Sequence, residues 1–228
     1  MHSTGISSHR MGREYRGARL LRRQFAYCSG NVSEKMRTDK LQIILASVSP
    51  RRDQLLREMG LAFTVVRPDG VEELASGLLP EALASHNAQQ KAQAVAGRHR
   101  EALVLGADTI VVFDGVVYGK PRDMAGAVQM LGRLAGQAHE VFTGVCLVQR
   151  ARGFETTFCD RTRVWMKALT ATEIVEYFLK VNPLDKAGAY AAQEHGDTII
   201  ARIEGSFSNV MGLPVERLRS ALESVALI

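Results

Sequence analysis

Apolar and polar positions along the chain change character near residue 40. Residues 1–38 have no hydrophobic periodicity and are rich in Arg, Ser and Gly; only residues 18–25 could form a short basic helix. From Leu41 onward the pattern alternates between short apolar runs and helical spacings. Residues 41–46 are a short, mostly apolar run that predicts a buried strand, broken by Ser47-Val48-Ser49-Pro50. Leu55, Leu56 and Met59 then recur at helical spacing, with Pro50 suited to the first turn. Residues 63–66 read as a second strand, 69–73 as an acidic loop, and 80–96 as an Ala-rich helix. An apolar strand over 102–106 ends at Ala107-Asp108-Thr109, and Asp114-Gly115 between two apolar runs predicts a hairpin with a type I′ turn. A helix over 125–134, long strands over 141–149 and 154–167, a strand over 198–203 and a closing helix over 214–225 complete the reading. Thr170-Ala171-Thr172-Glu173 has the form of a capping box. Strands alternating with helices predict an α/β fold with a mixed sheet.

Length and composition narrow this picture. The chain has 228 residues, 46% hydrophobic and 23% charged, which suits one domain able to bury a core without staples. The expected organisation is a basic, largely disordered extension over 1–38 and one domain over 39–228. No apolar run is long enough to cross a bilayer, so no membrane partner is expected. The formal charge of +5 would suit a nucleic-acid partner. Residues 1–38, however, carry a surplus of six positive charges, which leaves 39–228 at −1, so none is expected. The extension itself admits three readings: a transit peptide, a functional basic arm, or a dispensable extension with Met36 as the true start, the last being favoured. Cys28, Cys146 and Cys159 are odd in number and lack metal-ligand spacing, which fits a reducing cytoplasm.

Four segments could carry chemistry. Ser47-Val48-Ser49-Pro50-Arg51-Arg52 joins a strand to a helix, where hydroxyls, first-turn amides and paired guanidinium groups can bind phosphate; an ordinary helix start with a solvated Arg pair is the plainer reading. Asp108, after an apolar strand, can hold a metal ion or accept a proton from water, or merely cap a turn. Gly115 to Pro121 is no Walker loop, because the glycine gap is short and Pro121 replaces the hydroxyl residue; Lys120 remains a phosphate-binding candidate. In Asp185 to Gln193, small residues permit close ligand approach, and the Gln193 amide could read a base edge. The histidines show no ligand spacing, and no nucleophile elbow or zinc-protease motif is present.

Taken together and in this order, these segments resemble the Maf proteins. The resemblance rests on Leu45-Ala46-Ser47-Val48-Ser49-Pro50-Arg51-Arg52, Gly106-Ala107-Asp108-Thr109, Gly119-Lys120-Pro121, Asp185-Lys186-Ala187-Gly188-Ala189-Tyr190, and Ile203-Glu204-Gly205 with Gly212-Leu213-Pro214. It covers about residues 41–220. It implies a two-lobed mixed β-sheet with flanking helices and a central nucleotide cleft, of the inosine-triphosphatase-like kind, often as a homodimer. It implies hydrolysis of a nucleoside triphosphate between the α- and β-phosphates with Mg²⁺ or Mn²⁺. Asp108 is the implied general base, and Ser47, Arg51, Arg52, Glu73, Lys91 and Lys120 the implied phosphate- and metal-site residues, with Glu73 and Asp108 at the metal. Arg51, Thr109 and Gln193 match the branch that acts on dTTP and UTP, rather than the one acting on 7-methyl-GTP. One departure stands out: Glu194 follows Gln193 where the family usually has Gly. The alternatives are the same reaction on another base, such as 7-methyl-GTP, and a nucleotide-binding regulator of division with little turnover. Asp108 beside Lys120 and Glu73 favours the hydrolase.

Overall fold

The computed structural model describes residues 41–71 and 77–224. The expected disorder of 1–38 and the candidate metal ligand Glu73 lie outside the described residues. Strands β1 (Ile43–Ala46), β2 (Phe63–Val65), β3 (Leu103–Phe113), β4 (Val116–Tyr118), β5 (Ala138–Gln149), β6 (Phe154–Met166) and β7 (Ile200–Glu204) form one sheet. Its order is β2-β1-β3-β5-β6-β7, with β4 paired to β3. The pairs β1–β2 and β1–β3 are parallel and all others antiparallel, so the sheet is mixed as expected.

The helices are α1 (Pro50–Glu58), α2 (Pro80–Ala96), α3 (Met124–Leu134), α4 (Ala171–Phe178), α5 (Gly196–Ile199), α6 (Phe207–Met211) and α7 (Val215–Ser224). Local chemistry sets several boundaries. Proline opens α1 and α2, where its missing N–H costs nothing. Thr170 and Glu173 make the reciprocal bonds of a capping box at α4. Asp114 and Gly115 both have positive φ, 49° and 70°, as a type I′ turn requires.

Successive side chains on a strand point to opposite faces. On β3 and β5 the even-numbered residues therefore share one face and the odd-numbered the other. The even face packs against α2: Ile44, Val104, Cys146 and Val148 meet Ala88, Ala92 and Val95, while Ile110, Val112 and Phe142 meet Leu83 and Ala84. The odd face carries two separate clusters. Near one end, Leu45, Leu105, Val145 and Leu147 pack with Leu55, Leu56, Met211, Leu218 and Leu222 from α1, α6 and α7. Near the other, Val111, Val141 and Val164 pack with Leu131, Leu134, Ile174 and Tyr177 from α3 and α4, and with Tyr190 and Ile199. The two lobes are thus two core clusters on one continuous sheet.

Two differences from the expected elements bear on function. Strand β3 does not stop at Gly106 but runs unbroken to Phe113, paired to β5 from Val104 to Val112, so Asp108 lies mid-strand. A carboxylate and a hydroxyl interrupt the apolar pattern there, yet both find partners inside the fold, which removes the cost of keeping them in a strand. Helices α5 and α6, of four and five residues, are too short to show a period.

Helix α2 lies unusually near the sheet. A Cβ on Gly144 would fall 2.2 Å from the Ala84 carbonyl oxygen, and one on Gly106 2.3 Å from that of Ala88. No side chain fits, because the obstructing atoms are helix backbone. Gly144→Ala is expected to lower unfolding free energy by at least about 2–3 kcal/mol through overpacking, as read by urea denaturation. A loss below about 1 kcal/mol would mean that α2 can retreat without penalty.

Candidate active site

Strand β1 pairs with β3 only as far as Ala46 opposite Gly106, and β4 joins the same edge of β3 only from Tyr118 opposite Val111. Residues 107–110 are left as a window in that edge, about 13 Å long at the usual rise per residue. Ser47 borders it at the end of β1, and Gly119 and Lys120 border it just after β4. Asp108 projects from the window toward α2, and Thr109 toward the opposite face. Ligands in open α/β sheets collect where strands diverge in this way.

On the α2 side, Asp108 is almost fully buried and doubly held. Lys91 Nζ lies 2.7 Å from Oδ1, and Asn87 Nδ2 donates to Oδ2 at 3.0 Å. Lys91 is itself 8% exposed, so this ion pair is shielded from solvent and from screening by salt. Asn87 and Lys91 are four residues apart, hence on one face of α2. Asn87 is the site residue that sequence reasoning missed. Its only signal was that i,i+4 relation to a lysine on the Ala-rich, apolar face of a helix.

On the opposite side, Arg52 joins three segments. Nη1 donates to Ser47 Oγ at 3.1 Å, Nη2 to Thr109 Oγ1 at 2.9 Å, and Nε to the Gly212 carbonyl at 2.8 Å. Ser47 Oγ also accepts the Ser49 amide at 3.2 Å. These bonds explain the first-turn arginine that is buried rather than solvated. Helix α1 begins just past the end of β1, and a helix N-terminus carries a positive dipole end.

Arg51 faces a different partner. Its Nη1 lies 3.5 Å from Asp185 Oδ2, and its Nε donates to the Met211 carbonyl at 3.3 Å. Asp185 also contacts Lys186, whose buried ammonium lies 2.8 Å from Asp185 Oδ1 and 3.6 Å from Glu194 Oε1. Burial pushes the Asp185 carboxyl up, but the Lys186 ammonium and the Arg51 guanidinium outweigh it and hold the group below its ordinary value. Glu194, the residue that departs from the family pattern, therefore has a cation to neutralise it. It also accepts the Gln193 amide nitrogen at 3.0 Å. Gln193 lines a cavity of about 460 Å³ with Gln54, Glu58 and Phe207 among others, and its amide nitrogen is bonded to Glu194. Lys120 is exposed, and its loop is tied to the 187–189 turn by the Gly188 amide, which donates to the Gly119 carbonyl at 3.1 Å. The structure thus gathers Ser47, Arg52, Lys91, Asp108 and Thr109 at the window. It sets Lys120 at its border and puts Arg51 and Gln193 in contact with the Asp185–Glu194 segment.

Comparison with known proteins identifies the family. A model of the Maf-like protein family matches residues 42–225. The chain belongs to that family. A dTTP/UTP pyrophosphatase of Carboxydothermus hydrogenoformans is 44% identical over 78% of this chain and 95% of its own length. One from Symbiobacterium thermophilum is 46% identical over 77% and 90%. Among solved structures, the Ham1 protein of Staphylococcus aureus matches with a TM-score of 0.49 and 14% identity, covering 81% of this chain and 99% of that one.

The loop carrying Tyr190 rests on a buried histidine. His139 Nε2 lies 2.8 Å from Tyr190 Oη, and its Nδ1 has no partner among the described residues. Burial pushes the imidazole down to about 4 from its usual 6.5. A base with a depressed folded-state pKa stabilises nothing extra when neutral, but its unfolded form gains a proton as pH falls. Stability is therefore full above pH 6.5 and is lost between there and about pH 4. The loss amounts to about 3 kcal/mol at its limit. His139→Gln is expected to flatten the fall in unfolding free energy over that interval by about one proton's worth of slope, measured by denaturation at several pH values. An unchanged slope would show that other groups govern acid sensitivity.

Proposed function

We propose that this protein hydrolyses nucleoside triphosphates, dTTP and UTP preferentially, to the monophosphate and pyrophosphate. The observation that carries the reading is the buried Asp108 carboxylate, held by Lys91 and Asn87 in the open window of β3. Ser47 and Arg52 lie across the strand from it. The relatives named dTTP/UTP pyrophosphatase, aligned over nine-tenths or more of their own lengths, support the same chemistry. Hydrolysis of a phosphoanhydride asks a protein mainly to position the chain of phosphates, neutralise its charge and orient a water. Asp108 orients and deprotonates that water. Lys91 and Asn87 keep its carboxylate aimed. Arg51, Arg52, Lys120 and the first turn of α1 take the phosphate oxygens.

A divalent cation fits this donor set. Each Asp108 oxygen accepts one hydrogen bond and retains a further lone pair, and hard carboxylate oxygens suit Mg²⁺ or Mn²⁺. No group of three or more acidic, His or Cys ligands occurs among the described residues. The ion would be held by Asp108, phosphate oxygens and water, as is usual for Mg²⁺, with Glu73 the second carboxylate that the family resemblance implies. When bound, it supplies charge neutralisation on the triphosphate. Preference for a keto pyrimidine belongs to Arg51 and to Gln193, the latter lining the cavity beside α1. The reaction suits a cytoplasmic enzyme acting on free nucleotides. No described helix is long and apolar enough to cross a membrane. A homodimer is the proposed assembly.

The test is pyrophosphate release from a panel of nucleoside triphosphates with Mg²⁺ or Mn²⁺, wild type against Asp108→Ala. The expected result is dTTP and UTP leading, with the variant down by about a thousandfold or more, as loss of a general base implies. Chelation of the metal should abolish release. Release from a different base alone would keep the chemistry and reassign specificity to the Gln193–Glu194 pair. Binding without release would replace the hydrolase with a nucleotide-binding regulator.

A further inference from the structure

Thr109 is a natural candidate for reading the base, yet its hydroxyl is already committed. Thr143 Oγ1 on β5 lies 3.0 Å from the Asn209 carbonyl oxygen, which can only accept, so the single Thr143 proton is spent there. Thr109 Oγ1 lies 3.0 Å from Thr143 Oγ1, its direct partner across the β3–β5 ladder. With the Thr143 proton used, the Thr109 hydroxyl must be the donor in that pair. Thr109 Oγ1 in turn accepts Arg52 Nη2 at 2.9 Å. The polarity is therefore the same throughout: Arg52 donates to Thr109, Thr109 to Thr143, and Thr143 to the backbone of α6. Such one-way chains strengthen each member in a low-dielectric interior. Both Thr143 and Asn209 are fully buried. Asn209 is anchored in turn, its Nδ2 donating to the Val141 carbonyl at 3.1 Å and to Thr162 Oγ1 at 3.0 Å.

From this geometry we infer that Thr143 is a positioning residue for Arg52. Acting through Thr109, it holds the guanidinium in register with Ser47 and the α1 N-terminus, so that Thr109 serves phosphate alignment and has no proton to offer a base. The inference rests on the reading of Arg52 as a triphosphate-binding residue. It departs from the expectation that Thr109 selects the nucleobase. A fault in the relay should affect every nucleotide alike, because all share the triphosphate.

The test compares Thr143→Val with Thr143→Ser in the full chain, measuring kcat and KM on dTTP, UTP, CTP and GTP. Val keeps the shape and removes the hydroxyl; Ser restores it. The expected outcome for Val is a fall of about tenfold, the upper scale of one neutral hydrogen bond. It should fall mainly on kcat, with the order of preference among bases unchanged and Ser within about threefold of wild type. Thr109→Val, at a half-buried position, should give the same pattern and serves if Thr143→Val does not fold. Wild-type kcat in folded Thr143→Val, or a loss confined to one base, would overturn the relay. A wild type inactive on every triphosphate would instead overturn the hydrolase reading, and this role with it.

Discussion

The contact on which the site depends is the close approach of α2 to the sheet. Gly106 and Gly144 stand on neighbouring strands, and the space that their side chains would occupy is filled by the helix backbone at Ala84, Ala88 and Ala92. The small helix residues there extend the same economy, since Ala84, Ala88, Ala92 and Ala96 are completely buried. A helix seated this low needs no long reach to touch the strand beneath it. Lys91 and Asn87 consequently meet Asp108 at hydrogen-bonding distance while remaining within the core. A buried pair of this kind is retained only if both charges are well matched, because removing one partner strands the other in a poor solvent.

The sheet edge supplies the second constraint. If β1 continued beyond Ala46, or if β4 continued beyond Tyr118, the edge of β3 at 107–110 would be covered by another strand. Instead β1 turns at Ser47-Val48-Ser49-Pro50 into a helix whose second residue and third residue, Arg51 and Arg52, reach different segments. Arg52 ties the turn to β3 and to the end of α6, while Arg51 reaches the Asp185 segment. The two core clusters on the odd face are joined by these polar bonds as well as by the continuous strands. This explains how buried hydroxyls and guanidinium groups can persist in the middle of a sheet.

Much of this was legible in the order of residues. The strand–turn–helix at Ile43 to Glu58, the hairpin at Asp114-Gly115 and the capping box at Thr170 each depend on local chemistry, and each formed where the local pattern predicted it. The motif residues Ser47, Arg52, Lys91 and Asp108 also come together, although Lys91 was reached only through resemblance to a family. What was not legible depends on contacts distant in sequence. Asp108 and Thr109 resemble the end of a strand because polarity breaks the apolar run; only β5 and α2 show why the strand continues. Asn87 looks like an ordinary polar residue until α2 is laid against Gly106. Glu194 reads as an unwelcome charge until Lys186, eight residues earlier, is seen to be buried beside it. The hydroxyl relay through Thr143 needs the register of two strands and the carbonyl of a five-residue helix, none of which has a sequence signature.

The most direct measurement is the regiochemistry of cleavage, followed by phosphorus-31 NMR during turnover of UTP with Mg²⁺. A site that aligns the whole triphosphate and directs water to the α–β bond predicts UMP and pyrophosphate in equal amounts, with no orthophosphate. UDP with orthophosphate would contradict the account, because it would mean that Asp108 serves the terminal phosphate and that the phosphate chain lies differently across the window.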